Sequence, residues 1–407
     1  MQKMDSRKQG KQLSQRILRM EESATIKMAQ LARDLRAKGH QVISLSLGEP
    51  DFDTPQHIKD AAVRALQEGY TKYTPVAGLL PLREAICTKL KRDNQLEYQP
   101  NQIVVSNGAK QCIANLSLAL LDEGDEVVIF TPYWVSYREI VRLGGAEPIY
   151  LRAGIEQNFK VTAEQLRAII TPKTRMILFS SPCNPTGSFY TKGELAALVP
   201  VIEQFPQIIV VSDEIYEYIN FTEEGHTSIA SFDAIKDRTV VVNGFSKGFA
   251  MTGWRLGYLA APQWIATACS KMQGQFTSGA NAFGQMAAAY ALTSDLAPTY
   301  EMKKVYQKRR DLLIDALSQL EGFKVNTPPG AFYLFPDVQA FFGKATEEKI
   351  IENADDFCEY LLYDAHVAVV TGSAFGAPNC VRFSYATAEE ELIEAVRRIK
   401  KAIAKLK

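Results

Sequence analysis

The chain has 407 residues, 46% of them apolar and 23% charged, which is typical of a globular protein too long for one simple core. Its 46 basic and 46 acidic residues balance, which argues against a nucleic acid or a membrane surface as the main partner. No apolar run reaches the ~18 residues that predict a membrane-spanning helix.

The cysteines and the amino-terminal residues bear on the compartment. The six cysteines are scattered, without a C-x-x-C pair, which favours free thiols in a reducing cytoplasm over disulfides or a zinc site. Residues 1–20 are basic and polar and lack the apolar segment of a signal peptide. We therefore predict a cytoplasmic protein with a frayed or partly helical amino-terminal arm.

The hydrophobic pattern, taken in chain order, first predicts helices over 22–39, 56–68 and 79–92 and a short strand over Gln41–Leu47. From residue 102 onward, strands and helices alternate. The predicted strands are Ile103–Ser106, Glu126–Phe130, Glu147–Leu151, Arg175–Ser180, Ile208–Ser212, Thr239–Val242 and Leu256–Ala260. Helices are predicted between most of them, over 109–121, 134–143, 163–170 and 192–203, and longer ones follow over 262–273, 281–293 and 297–320.

This alternation predicts the fold class. Repeated βα units indicate an α/β protein whose mostly parallel seven-stranded sheet lies between helices. We expect residues 1–48 to form an arm and part of a small domain, and residues 49–296 to form the large ligand-binding domain. Residues 297–407 are expected to form the rest of a smaller α+β domain.

The most informative stretch follows the strand Thr239–Val242. Asn243-Gly244 ends that strand, Ser246-Lys247-Gly248 comes next, and Arg255 lies eight residues beyond Lys247. Ligands of α/β proteins bind at strand ends, and apolar neighbours would desolvate the Lys247 amine, lower its pKa and make it nucleophilic. On this stretch alone, a solvated surface lysine is an equal alternative.

Polar residues follow other predicted strands as well. Gly108 and Ala109 open a helix, where their backbone amides could hold an anion, although an ordinary turn is the alternative. Asn184 stands between two prolines that fix its backbone. Asp213 follows an apolar strand, so it needs a positive partner if it is buried and not a surface acid. Tyr216 adds a phenol nearby.

These groups suit one ligand. Lys247 supplies an amine, and Gly108, Ala109, Ser246 and Arg255 supply an anion cradle. A buried carboxylate, a phenol and an amide come from Asp213, Tyr216 and Asn184. A phosphorylated aromatic aldehyde that reacts with an amine would use them all, so pyridoxal 5′-phosphate (PLP) is the predicted cofactor, and no metal is expected.

The motifs in combination resemble those of the class I aminotransferases of PLP fold type I, most closely the bacterial aspartate aminotransferase subgroup 1β. The resemblance spans residues 15–405 and rests on six motifs in the family's order: Gly48-Glu49-Pro50-Asp51-Phe52, Tyr133-Trp134, Asn184-Pro185-Thr186-Gly187, Asp213-Glu214-Ile215-Tyr216, Ser246-Lys247 with Arg255, and Arg382-Phe383-Ser384.

The resemblance implies a role for each matching residue. Lys247 would bond to the cofactor and then move a proton as general base. The other cofactor contacts implied are Asp213 at the pyridine nitrogen, Tyr216 and Asn184 at the phenolic oxygen, Trp134 stacked on the ring, and Arg255, Ser246, Gly108 and Ala109 at the phosphate. Tyr73 would reach the phosphate of a neighbouring subunit, which implies a homodimer with shared active sites.

The substrate contacts implied are Arg382, Asn184 and the Gly48 backbone at the α-carboxylate, with Trp134 beside the substrate. Animal-type members of the family bind the second carboxylate with an arginine of the partner subunit, and the corresponding segment 272–284 contains none here. In subgroup 1β a lysine after a Gly-Gly or Gly-Ala turn has that role, and the resemblance places Lys110 there. This predicts amino transfer between L-aspartate and 2-oxoglutarate, unless Lys110 is a surface or phosphate-side lysine. Glu21 stands where prephenate-accepting members carry a lysine, so prephenate activity is expected to be weak or absent.

One position departs from the pattern of the phosphate cradle. Gly244 replaces a serine that some members use, and Thr277 or Ser278 could donate instead.

Other functions fit less well. Gly244-Phe245-Ser246-Lys247-Gly248 matches the G-x-S-x-G of serine hydrolases, but only one histidine, His366, lies downstream and no oxyanion segment is present. A PLP-dependent transcription regulator would need a DNA-binding domain ahead of Gly48, and we expect the residues there to be too few for one. A dehydrogenase would need the motif G-x-G-x-x-G, which the sequence does not contain. Alanine, aromatic or broad-specificity aminotransferases, and some β-lyases, stay open alternatives because they share nearly all of these residues.

Overall fold

Helix and strand boundaries follow the hydrophobic pattern closely. The computed structural model describes residues 13–22, 24–347 and 349–407, so most of the predicted amino-terminal arm lies outside the described residues. The first helices are α1 (Gln15–Arg19), α2 (Ala24–Ala37), α3 (Gln56–Gln67) and α4 (Leu80–Asn94). The predicted strand over Gln41–Leu47 is shorter than expected and covers only β1 (Ile43–Ser44).

The alternating region contains the main strands and the helices between them. The strands are β2 (Ile103–Ser106), β3 (Glu126–Thr131), β4 (Glu147–Arg152), β5 (Thr174–Ser180), β6 (Ile209–Asp213), β7 (Thr239–Gly244) and β8 (Gly257–Ala260). The helices are α5 (Ala109–Leu120), α6 (Ser136–Leu143), α7 (Ala163–Ile169), α8 (Lys192–Glu203) and α9 (Asp233–Lys236). Three longer helices follow: α10 (Gln263–Phe276), α11 (Ala282–Thr293) and α12 (Ala297–Ser318).

The main sheet confirms the predicted α/β class. Its order is β2-β8-β7-β6-β5-β3-β4, and β8 alone is antiparallel to its neighbours. The carboxyl ends of β2, β5, β6 and β7 therefore meet at one edge. Because β8 runs the other way, it begins at that same edge, and Arg255 just before it is brought there too.

The sheet is buried on both faces, as its β-branched sequence predicts. Val240 and Val242 pack on one face, with Leu178 and Leu259, and Val241 packs on the other, with Ile86 and its neighbours. Each such side chain contributes about 1.5–3 kcal/mol relative to an exposed one. This packing fixes the strand ends against one another.

The carboxyl-terminal part forms smaller sheets. They contain β9 (Tyr333–Leu334), β10 (Val367–Ala368), β11 (Val370–Thr371) and β12 (Val381–Ser384), with α13 (Ala354–Asp364) and α14 (Glu389–Ile403) beside them. The strands β9, β11 and β12 are antiparallel, and β1 pairs with β10. Residues before 48 thus join the carboxyl-terminal part, whereas the domain boundaries at 48 and 296 stay a prediction.

Within the described residues, no helix has the length and apolar character needed to cross a bilayer. All six cysteines lie among the described residues and are free thiols, as predicted.

Candidate active site

Lys247 lies just beyond β7, at the edge where the strand ends meet. Its Nζ donates a hydrogen bond to the carbonyl of Gly48 and lies 5.8 Å from the ring centres of Tyr216 and Phe332. Burial lowers the pKa of Lys247 to about 8; the Glu49 carboxylate opposes this shift, and the Arg382 guanidinium adds to it. An amine with this pKa has an appreciable neutral fraction, which is the nucleophilic form, near physiological pH.

Asp213 is the last residue of β6, the strand next to β7. It is 4% exposed; its Oδ2 accepts from the Tyr137 hydroxyl at 2.6 Å and its Oδ1 accepts from the backbone N–H of Ile215 at 3.2 Å. Burial raises the pKa of Asp213 to about 6, although these hydrogen bonds and the Lys247 charge act against the rise. A carboxylate held this way favours a cationic partner.

Tyr216 joins the large sheet to the small one. Its hydroxyl lies 2.7 Å from that of Tyr333 on β9, and burial raises the pKa of both phenols. The Tyr333 hydroxyl also lies against Gly48, where an added Cβ would come within 2.5 Å of it. Glycine at position 48 thus allows the close approach of loop and phenol.

Arg382, on β12, is 2% exposed. Its Nη1 donates to Asn184 Oδ1 at 2.9 Å and its Nη2 donates to the Ser46 carbonyl at 2.6 Å. Its Nε is buried and has no hydrogen-bond partner among the described residues. A buried guanidinium with a spare donor suits a carboxylate ligand. Because Arg382 uses the Asn184 oxygen, the Asn184 amide NH₂ is the group left to donate elsewhere.

The predicted anion cradle also assembles. Gly108 has φ 85° and directly precedes α5, which begins at Ala109; a Cβ on Gly108 would lie 2.6 Å from Arg255 Nη2. The exposed Arg255 side chain therefore lies close to the amino terminus of α5, where backbone amides favour anions. Ser246 is buried beside Lys247.

Gly244, the departure from the family pattern, has a structural reason. A Cβ there would approach the Gly257 Cα and the Leu256 carbonyl of the adjoining strand to 2.9 Å. The close approach of β7 to β8 therefore leaves no room for the serine.

A cleft of about 780 Å³ opens beside this cradle and is lined by Lys110, Arg255, Thr277, Glu21 and Arg138, among others. The Lys110 Nζ lies 5.0 Å above the Trp134 ring. Partial burial and the nearby Arg255 charge lower the pKa of Lys110. Arg138 donates to Glu21, so the charges at the cleft mouth are partly paired.

One predicted residue and two that were not predicted complete the description. Tyr73 is fully exposed. Tyr137 and Tyr333 contact Asp213 and Tyr216 but were not predicted. Tyr137 could have been found, since it lies three residues after Trp134 in the helix predicted over 134–143. Tyr333 has no comparable local signal.

Comparison with known proteins agrees with this geometry. The sequence matches the family described as aminotransferase class I and II over residues 40–399. A Petunia hybrida protein, named bifunctional aspartate aminotransferase and glutamate/aspartate-prephenate aminotransferase, is 45% identical over 100% of this chain and 86% of its own. A Rhizobium leguminosarum protein, named probable aspartate/prephenate aminotransferase, is 47% identical over 96% of this chain and 98% of its own.

Solved structures extend the similarity to the fold. The crystal structure of an aspartate aminotransferase from Rhizobium meliloti superposes with a TM-score of 0.94 at 41% identity, covering 97% of this chain and 99% of that one. Because both the family match and these relatives span nearly the whole chain, the protein belongs to the class I and II aminotransferase family and has its fold type I architecture.

Proposed function

We propose that this chain transfers an amino group between an L-amino acid, in the first place L-aspartate, and 2-oxoglutarate, with PLP bound at Lys247. One observation carries the proposal: the segment from Ser46 to Gly48 accepts hydrogen bonds from both Arg382 and Lys247. An amino acid whose carboxylate bound Arg382 would therefore place its Cα beside the Lys247 amine.

The residues at the strand ends fit PLP. Arg255 and the amides of Gly108 and Ala109 would hold its phosphate, and Asp213 would face its ring nitrogen. Tyr216 and the free NH₂ of Asn184 would donate to its phenolic oxygen, and Trp134 would lie against the ring. Bound there, PLP supplies an electron sink for the electron pair left when the Cα proton is removed.

Side chains of the protein would carry out the proton transfer and orient the substrate. Lys247 would take the Cα proton at its Nζ and return it to the cofactor side, since its lowered pKa suits a general base. Arg382 would orient the α-carboxylate so that the Cα–H bond points toward that amine. Asp213, held by Tyr137, would stay ionised opposite a protonated ring nitrogen.

Lys110 would give the enzyme its preference for a dicarboxylic substrate. It lines the cleft next to the cradle and is the cation nearest the Trp134 face among the described contacts. Its ammonium could pair with the distal carboxylate of aspartate or 2-oxoglutarate. An alanine-specific or aromatic aminotransferase would gain nothing from this charge, so specificity for other amino acids is the alternative that the test must separate.

The exposed ring of Tyr73 supports a homodimer in which each subunit completes the partner's phosphate site. The free thiols fit the proposed cytoplasmic location.

The test is a panel of amino donors, each assayed with 2-oxoglutarate and PLP. We expect aspartate to exceed alanine and phenylalanine in kcat/KM by about tenfold or more, because only aspartate would pair with Lys110. A preference for alanine or phenylalanine would refute the substrate assignment. A complete lack of amino transfer would refute the proposed activity.

A further inference from the structure

The loop that carries Tyr73 has an exposed side chain on a fixed backbone. Residues 70–78, the Tyr73 loop, form most of the connection between α3 and α4. The Tyr73 side chain is fully exposed. The chain after it is held, because the Thr74 hydroxyl donates to the Ala280 carbonyl at 3.0 Å and the Ala77 carbonyl accepts from a backbone N–H of β2 at 3.0 Å. A side chain presented in this way is suited to contact a second molecule, since little freedom is lost on binding.

Gln273, on α10, is 0% exposed and links the Tyr73 loop to the end of β2. Its Nε2 donates to the Val76 carbonyl at 2.7 Å and to the Val105 carbonyl at 2.9 Å. Its Oε1 accepts from the Ser106 hydroxyl at 2.6 Å and from Asn115 Nδ2 at 3.0 Å. The side-chain amide thus uses both of its donors and both of its acceptor positions. Exchanging its nitrogen and oxygen would set the oxygen against two carbonyls, so only this orientation fits.

Gln285, on α11, holds the same loop at a second place and is also 0% exposed. Its Oε1 accepts from the Leu79 N–H at 2.7 Å, and its Nε2 donates to the Ala280 carbonyl at 2.8 Å and to the Thr74 hydroxyl at 3.3 Å. Gly78 has φ 98°, and a Cβ there would lie 3.0 Å from this Oε1. A displaced loop would leave both buried amides with unpaired groups, which is costly, so the two glutamines fix the loop.

The position of Gln273 relates the phosphate sites of two subunits. Ser106 ends β2 two residues before Gly108 of the proposed cradle. The Gln273 amide therefore contacts the strand end that presents the cradle of its own subunit. The same amide contacts the loop whose Tyr73 would reach the phosphate in the partner subunit.

We propose that Gln273 and Gln285 are positioning residues: by fixing the Tyr73 loop, each subunit of the homodimer sets the geometry of its partner's phosphate site. This inference rests on the proposed function, because it needs PLP and the shared sites of a homodimer. A loop of purely structural importance would affect its own subunit first. The inferred role predicts instead that the effect of a glutamine variant appears in the other subunit.

Hybrid dimers separate these two cases. Two differently tagged copies of the chain are co-expressed, and dimers that carry both tags are purified. The silent subunit carries Lys247→Ala, so only the reporting subunit, which keeps Lys247, gives the absorbance of attached PLP. Titration of the hybrid apoprotein with PLP then measures the affinity of the reporting subunit. Tyr73→Phe on the silent subunit is the reference and should weaken this affinity about tenfold, because one hydrogen bond to a charged group is lost.

Methionine at either glutamine keeps the length and volume of the side chain but makes none of these hydrogen bonds. On the silent subunit, Gln273→Met and Gln285→Met should each weaken PLP binding by the reporting subunit about fivefold. On the reporting subunit, Gln285→Met should cost less than about twofold, and Gln273→Met about threefold through its contact with Ser106. A loss from Gln285→Met that is as large on the reporting subunit as on the silent one would overturn the inference.

A double variant tests the route through Tyr73. When the silent subunit already carries Tyr73→Phe, adding Gln285→Met to it should change the affinity by less than about twofold, because the hydroxyl that the loop positions is gone. If the two losses multiply instead, the loop acts by another route and the inference is wrong.

If a glutamine variant yields no folded dimer, Thr74→Val takes its place, since it removes only a hydroxyl that anchors the loop. It must then weaken PLP binding across the dimer, or the inference fails. If wild-type apoprotein binds no PLP or is monomeric, or if Tyr73→Phe has no effect across the dimer, the proposed function fails in that respect and this inference falls with it. If Tyr73→Phe acts across the dimer but the glutamine variants do not, only this inference fails.

Discussion

Charged side chains are buried in the floor of the active site and largely exposed at its mouth. The floor, formed by Asp213, Tyr216, Lys247 and Arg382, is buried or nearly so, and its charges are held by hydrogen bonds from fixed strands and loops. The mouth, formed by Glu21, Lys110 and Arg138, is largely open to solvent. Buried charges shift one another's pKa and are costly to change, whereas exposed charges are screened and replaceable.

This difference assigns separate tasks to the two regions. The floor suits the bond-making chemistry that any amino acid substrate shares, because its groups are fixed and perturbed. The mouth suits the choice of substrate side chain, because a single charge can be altered there without disturbing the core. Mutations in the floor should therefore affect all substrates alike, and mutations in the mouth should discriminate among them.

The largest effect is expected from Lys247→Ala. It removes the amine that we propose binds the cofactor and moves the proton, so kcat should fall by about 10⁴-fold or more for every donor. Steady-state assays with aspartate and alanine measure this loss. The exposed Lys173, at the opposite edge of the sheet, provides the matched control Lys173→Met, which should keep wild-type rates. Turnover retained by Lys247→Ala would exclude it as the reactive amine.

Arg382→Lys should follow in size. Lysine keeps the positive charge but cannot donate in the planar, two-pronged geometry, so kcat/KM should fall by about 100-fold for all amino acids, mainly through KM. The loss of kcat/KM is measured with aspartate and with alanine, and equal losses for the two donors are the control. A loss confined to aspartate would place Arg382 at the distal carboxylate and contradict its proposed role in the floor.

The pH dependence of cofactor attachment measures the floor's electrostatics. With the pKa of Lys247 lowered to about 8, the neutral amine is a small fraction at pH 6 and dominant above pH 8. The rate of the absorbance change on adding PLP to apoprotein should therefore rise about 50-fold between pH 6 and pH 8 and level off above it. A rate that keeps climbing toward pH 10 would show an amine unaffected by burial.

Lys110→Met should discriminate among substrates. We expect kcat/KM for aspartate to fall about 30-fold while that for alanine changes by less than about threefold, because alanine has no distal carboxylate. Competition assays against 2-oxoglutarate would detect the same loss for the oxo acid. Equal losses for both donors would assign Lys110 to the phosphate instead.

The smallest effect is expected from Glu21→Lys. This change removes a carboxylate from the mouth, releases Arg138 and adds a cation, so prephenate amination should rise about fivefold from a low level. Glu21→Gln separates the loss of negative charge from the gain of positive charge and should give a smaller rise. Wild-type prephenate rates comparable with oxaloacetate rates would refute the expectation of weak prephenate activity.

Local sequence signals determined much of this protein. Strand and helix periods located the main sheet, and polar residues after β2, β6 and β7 marked the edge where a ligand could bind. These signals are local, since each depends on a few neighbouring residues and on the rule that parallel strands end at the same edge. The family motifs then supplied the expected roles of Lys247, Asp213 and Arg255.

Only the tertiary structure decided which distant groups meet. Arg382 lies 198 positions from Asn184 and 336 from Ser46, and Tyr216 lies 117 from Tyr333, yet all are hydrogen-bonded. No periodic pattern reports such pairs, because they arise when the small sheets pack onto the large one. The same holds for Glu214 and His226: the sequence shows an acid and a histidine, and folding buries them together behind Asp213.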